Sequence, residues 1–287
     1  MSLLFQQALN GLTLGSVYAL VALGLTLVYG ILHIPNFSHG ALYTVGAYAA
    51  FLLVGKLGAN YWVAMLGAAL IVALLAVLTE RLVFSPLRDA PPLHDMIAAI
   101  SLLLFFEASV QALWGAEFHR IQAPFTQIIR VFGLVAPAQR LLIVAGAFVL
   151  MLALHLFLSR TMLGATIVAT AQSRQGAALV GIDAAKVSML TFAISGALAA
   201  VAAVLFSPIN LISPGMGELV ITKAFVIIIL GGMGSVVGAI VGGLIIGFAE
   251  SFGAFYISTD YKDIVAFVLL IVILSLRPQG LFAPAAR

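Results

Sequence analysis

The chain has 287 residues, 63% of them hydrophobic and 8% charged, with a mean hydropathy of +1.21. Soluble domains carry about 25% charged residues, so too little polar surface remains to cover a water-facing globule, and a polytopic membrane protein is expected. The formal charge of +3 and the pI near 9.3 suit basic loops beside a lipid bilayer and call for no nucleic-acid partner, while the absence of cysteine excludes a disulfide framework, a thiolate metal site and a cysteine nucleophile.

A spanning helix needs about 20 apolar residues, each rising 1.5 Å across about 30 Å of hydrocarbon. The first charged residue is Lys56. A signal peptide would open on a basic stretch, so the first apolar run, 11–31, is expected to be a span. Spans at 38–54, 61–79, 96–114, 141–158 and 187–206 follow. Then come 219–231 and 235–256, meeting at "GGMGS", and finally 264–276. The fold class is an all-α polytopic membrane protein of about eight or nine transmembrane helices, forming one domain over 1–287. Alternating the spans puts Arg81, Arg88, Arg160, Arg174, Lys186, Arg277 and Arg287 on one side, against Lys56, Arg120, Arg130, Arg140 and Lys262 on the other. By the positive-inside rule the C-terminus is cytoplasmic and the N-terminus external.

Several motifs interrupt the apolar pattern. In "LHIPNFSHG" (32–40), Pro35 lacks an amide proton and Asn36 or Ser38 can cap the next helix. Free N–H groups at such a helix start could meet a substrate carboxylate at membrane depth; a capped interfacial loop is the plainer reading. The adjacent Ser38 and His39 suggest a nucleophile and base, but neighbouring helical residues point about 100° apart, and no third orienting group is evident. "SPLRDAPPLHD" (85–95) reads as a Pro-rich loop. "FTQIIRVFGL", in the external loop 115–140, could form an interfacial helix that meets an extracytoplasmic partner, and a plain connector is the simpler reading.

Glu107 and Glu250 fall within or near spans, where a carboxylate must face protein or water. Glu218 is expected to pair with Lys223. In "GGMGSVVGAIVGGLIIG" (231–247), Gly234, Gly238 and Gly242 recur every four residues, a spacing that lets helix backbones approach closely in lipid. "IPNFSHGALYTVGAYAA" (34–50) echoes "INLISPGMGELVITKAF" (209–225), each running Asn, Ser, Gly into an apolar helix. An inverted repeat or ordinary turn chemistry would each produce that echo.

The stretch "ATAQSRQGAALVGIDAAK" (169–186) is polar amid oily segments. Its alanines favour helix, Gly181 is placed to close it, and Asp183 to cap the span that follows. A small-residue cytoplasmic helix suits a groove on a soluble partner, and a connecting helix is the plainer reading. No P-loop or other ATP-binding motif is present, so any ATP work falls to another polypeptide.

"SRQGAALVGIDAAKVSMLTFAISGALAAVAAVL", "KAFVIIILGGMGSVVGAIVGGLIIGFAES" and "NGLTLGSVYALVALGLTLVYGILHIPNFSHGALYTVGAYAA" resemble the membrane subunits of branched-chain amino acid ABC importers, the LivH type rather than the LivM type. The resemblance implies an ABC importer permease fold in a bacterial or archaeal inner membrane. It implies a second related permease, two cytoplasmic ATPases that hold ATP and Mg, and a periplasmic or lipoprotein substrate-binding protein. The chain itself would be no enzyme and would hold no cofactor. The region 169–186 then becomes the coupling helix that meets an ATPase, with Arg174, Gly176, Ala177, Gly181 and Asp183 matching the family pattern; Ala203 replaces a family glycine, small for small. Members of the family carry branched-chain or other amino acids, urea and amides, or aromatic carboxylates. A stand-alone secondary transporter or channel of the same topology is the alternative. Asn36, Ser38, Asn210 and Glu250 are the candidates for the pathway.

Overall fold

The computed structural model describes residues 2–33, 35–88, 90–131, 134–258 and 261–282; Arg287, counted above for orientation, lies outside them. The chain runs α1 (Ser2–Leu32), α2 (Ser38–Gly55), α3 (Tyr61–Thr79), a π-helical turn Glu80–Phe84, the single turn α4 (Ser85–Leu87) and α5 (Pro92–Trp114). A hairpin of β1 (Ile128–Val131) and β2 (Leu134–Pro137) leads into α6 (Ala138–Arg160), α7 (Met162–Gln172) and α8 (Arg174–Leu179). The remainder is α9 (Ala184–Phe206), α10 (Met216–Gly231), α11 (Val236–Tyr256) and α12 (Lys262–Leu276).

Each expected span coincides with a helix. Among the described residues, six are long and apolar enough to cross a membrane: Leu3–Leu32, Tyr61–Leu87, Pro92–Trp114, Ala138–Arg160, Ala184–Phe206 and Val236–Tyr256. The helices α2, α10 and α12, of 18, 16 and 15 residues, fall short of that measure. At 1.5 Å per residue α10 is about 24 Å long, less than the hydrocarbon thickness.

Two sequence expectations are corrected here. The segment over "FTQIIRVFGL" is no interfacial helix: β1 pairs antiparallel with β2, Ile128 opposite Pro137 and Val131 opposite Leu134. Its run of β-branched residues, Ile128, Ile129 and Val131, favours an extended backbone over a helix. The loop drawn at 85–95 is also shorter than expected. Helical backbone continues from α3 through Leu87 and resumes at Pro92, with Arg88 Nη2 held 2.7 Å from the buried Glu80 Oε1.

The helices meet through small residues. A Cβ added at Gly247 of α11 would lie 2.2 Å from the Gly15 backbone nitrogen of α1, so only glycine permits this approach. In lipid, apolar bulk gives no net drive for helices to associate, and close backbone packing does that work. Gly238 and Gly242 lie on α11 and face α10, against the Gly231 and Ile227 carbonyls. Gly234 does not join them: it lies in the turn before α11 at φ +84°, with open space about its Cβ position. The four-residue spacing runs through a helix start, so the three glycines share no single face.

Where α9 ends, its last carbonyls have no partner within the helix, and distant side chains supply them. Tyr61 OH donates to the Val204 carbonyl at 3.0 Å and Gln139 Nε2 to the Leu205 carbonyl at 3.0 Å. These bonds tie α3 and α6 to α9. The two echoing segments also converge: α2 and α10 each begin within one, and Gly40 and Gly217 approach so closely that a Cβ on Gly217 would lie 2.2 Å from the Gly40 carbonyl oxygen.

Candidate functional site

A cavity of about 550 Å³ opens among α1, α6, α10, α11 and the 206–213 connection. Asn210 and Glu250 both line it; Asn36 and Ser38 do not. Those two are buried at the start of α2, where Asn36 Oδ1 accepts from the Ser38 amide at 3.1 Å and from Ser38 Oγ at 2.6 Å. That bond, from the residue before the Phe37 N-cap, uses one of the N–H groups that the sequence left free for a substrate. It also removes the nucleophile–base pair. Ser38 is bonded to Asn36, while His39 Nδ1 lies 3.1 Å from Ser195 Oγ and Nε2 lies 3.1 Å from the Val21 carbonyl.

On one wall of the cavity is an intramembrane charge cluster. Lys223 Nζ lies 2.7 Å from Glu250 Oε1 and 2.8 Å from Asp263 Oδ1, and it donates to Tyr18 OH at 3.0 Å. Tyr18 OH in turn donates to Glu250 Oε2 at 2.8 Å. Glu250 is 1% exposed, so it is tolerable only because it is paired in this way. The expected Glu218–Lys223 pair is therefore not formed. From α10 the Lys223 side chain reaches inward to α11 and the first turn of α12. On the far side of the cluster lies a second cavity of about 250 Å³ that shares Lys223 and Glu250. Toward the other end of the larger cavity, Arg140 Nη1 donates to Asn10 Oδ1.

Sequence reasoning missed Tyr18, Arg140 and Asp263 as members of this site. Glu250 and Lys223 carried a usable signal, being opposite charges within apolar helices. Arg140 was read as a loop charge, and Asp263 lay just before the last apolar run.

The polar stretch 169–186 forms a compact elbow rather than one helix. Ser173 ends α7 and caps α8, its Oγ accepting from the Gly176 amide at 3.0 Å. At the other end the Ile182 amide donates to the Ala177 carbonyl at 3.0 Å and the Gly181 amide to the Ala178 carbonyl at 3.0 Å. This paired closure requires a left-handed residue, and Gly181 supplies it at φ +84°. Asp183 Oδ1 then accepts from the Ala185 amide at 3.0 Å and the Lys186 amide at 3.3 Å, starting α9. The bond from the Lys186 amide, ahead of the other contacts, holds the Asp183 carboxyl below the usual carboxylate range. Ala177 is buried, whereas Leu179 and Val180 are 89% and 76% exposed. Arg174 and Gly176 sit on the first turn of α8.

Long apolar helices joined by small-residue contacts around a charged cavity define a polytopic α-helical membrane protein. The profile of the family described as branched-chain amino acid transport system, permease component, matches residues 7–274, and the chain belongs to that family. The chain is 39% identical to the high-affinity branched-chain amino acid transport system permease protein BraD of Pseudomonas aeruginosa, over 96% of this chain and 94% of that one. It is 37% identical to the permease protein LivH of Escherichia coli K12, over 96% and 94%. It is 26% identical to the permease protein LivM of the same organism, over 94% of this chain and 68% of that one.

Proposed function

We propose that the chain is a membrane-spanning subunit of an ATP-driven importer, moving branched-chain or related amino acids that an extracytoplasmic binding protein delivers. It works beside a second related permease, in an inner membrane, with its C-terminus cytoplasmic. Its high-identity relatives carry names of branched-chain amino acid permeases, and the likeness to LivM supports a paired permease.

The observation that carries the reading is the elbow at 169–186. It presents Leu179 and Val180 on a short helix fixed at both ends, in a chain with no ATP-binding motif. Energy then enters through a cytoplasmic ATPase that grips α8. Arg174, Gly176 and Ala177 form the docking turn, and Gly181 and Asp183 hold it rigidly to α9. A nucleotide shifts the access equilibrium only by its differential affinity for the two states, and a swing from 1:99 to 99:1 takes about 5.5 kcal/mol. A rigid elbow passes such a bias from one subunit to the next.

The test is replacement of Ala177 and Gly181 by Leu in the reconstituted complex. Loss of substrate-stimulated ATPase activity, with the permease still inserted, is expected. Normal stimulation in both variants would remove the coupling role.

A further inference from the structure

We infer that the cavity bounded by α1, α6, α10 and α11 binds the zwitterionic backbone of an α-amino acid, with its carboxylate on Arg140 and its ammonium on the Glu250 cluster. This site rests on the importer reading above and places its cargo on named residues.

Arg140 contacts the neutral Asn10 and forms no ion pair among the described residues, so that end of the cavity carries an unanswered positive charge. At the other end one ammonium, Lys223, is shared between two carboxylates, Glu250 and Asp263, which leaves a formal excess of one negative charge. Both ends line one space, and Glu250 presents the negative end to it. Glu250 is 1% exposed and Arg140 is half-buried, so an incompletely matched charge is costly at both, while Asp263, 46% exposed, stays partly hydrated. A ligand bearing both signs relieves both costs.

Geometry agrees with this arrangement. Asn10, which holds Arg140, and Tyr18, which holds Glu250, are eight residues apart on α1 and about 80° apart around it at 3.6 residues per turn, and both line the cavity. That spacing is a rise of about 12 Å. Two charge-assisted bonds of about 2.8 Å plus the short span of an amino-acid backbone fill most of this distance. The 550 Å³ volume falls within the usual range for small-molecule sites. Phe206, Ile209, Met216 and Val220 give the cavity an apolar wall for a branched side chain. Urea or a neutral amide would leave both charges unanswered, and an aromatic carboxylate would answer Arg140 alone.

The test uses the full permease–ATPase complex. A photoreactive diazirine analogue of leucine is applied without the binding protein, whose own selectivity therefore does not enter, and adducts are mapped by mass spectrometry. Adducts on the 206–220 wall are expected, chased by leucine and not by leucinamide or 4-methylpentanoate, which each lack one charge. In proteoliposomes with the binding protein present, Arg140→Gln should lower leucine uptake at least tenfold, with partial recovery in Arg140→Lys. Adducts confined elsewhere, an equal chase by leucinamide, or unchanged uptake in Arg140→Gln would overturn the site. Should Arg140→Gln fail to assemble, labelling of the unaltered complex decides the matter. Absence of ATP-dependent leucine uptake by the unaltered complex would instead overturn the importer reading, and the site with it.

Discussion

The helices inside the molecule differ from those at its edge, though not in hydropathy. The spans in α1 and α5 share a mean hydropathy of 1.9, yet 78% of the first is buried within the chain and 17% of the second. The span in α6 is the most apolar at 2.7 and is 22% buried, whereas α11, at 1.8, is 50% buried. In water the greasier helix would be the inner one. In lipid the surrounding tails are as apolar as leucine, so greasiness selects nothing. Glycine contacts, hydrogen bonds to helix ends and charge pairs decide what sits inside.

That contrast is open to direct attack. Lys223→Met should do the most damage, because it strands Glu250 and Asp263 without their counter-ion. Breaking a buried pair costs about 3–5 kcal/mol, which a steric-trap unfolding measurement in bicelles would read. Gly247→Leu comes next. The new side chain meets the α1 backbone, which cannot move aside, and overpacking of this kind costs about 3 kcal/mol; the same assay should show it. Tyr61→Phe removes one hydrogen bond to the end of α9 and should cost about 1 kcal/mol. At the edge, Leu70 of α3 is 66% exposed, and Leu70→Ala should change stability by less than about 0.5 kcal/mol. A peripheral change as damaging as Gly247→Leu would erase the distinction between inner and outer helices.

A subtler prediction concerns the elbow. The folded Asp183 carboxyl is held below its ordinary range, so its cap is fully present above the unfolded carboxylate pKa. The cap is lost as pH falls through the depressed folded value. Protection of the Ala185 and Lys186 amides from hydrogen exchange, corrected for the intrinsic rate, should decline in that acid window, and Asp183→Ala should abolish the decline.

Much of the fold was legible in the sequence. The apolar runs marked every long helix, and the turn chemistry of Gly181 and Asp183 was readable because both act on their nearest neighbours in the chain. The failures have a common origin. Gly234 fitted a four-residue spacing, but whether a helix has begun depends on the turn before it. The hairpin at 128–137 lies between long spans, where its β-branched residues fit an interfacial helix or a connector as readily as a strand. The charge cluster joins Tyr18, Lys223, Glu250 and Asp263 from four helices, and Glu218, five residues away along the chain, is the nearer match for Lys223 until the helices are assembled. Local signals survive in one dimension; partner choice across the bundle does not.

The most direct test of the whole account is leucine uptake into proteoliposomes, with this chain reconstituted alone and then with a second permease, the ATPases and a binding protein. Uptake that requires ATP and every partner, and none by the chain alone under an ion gradient, is the predicted result. Transport by the isolated chain without any ATPase would contradict it and mark a self-sufficient transporter or channel.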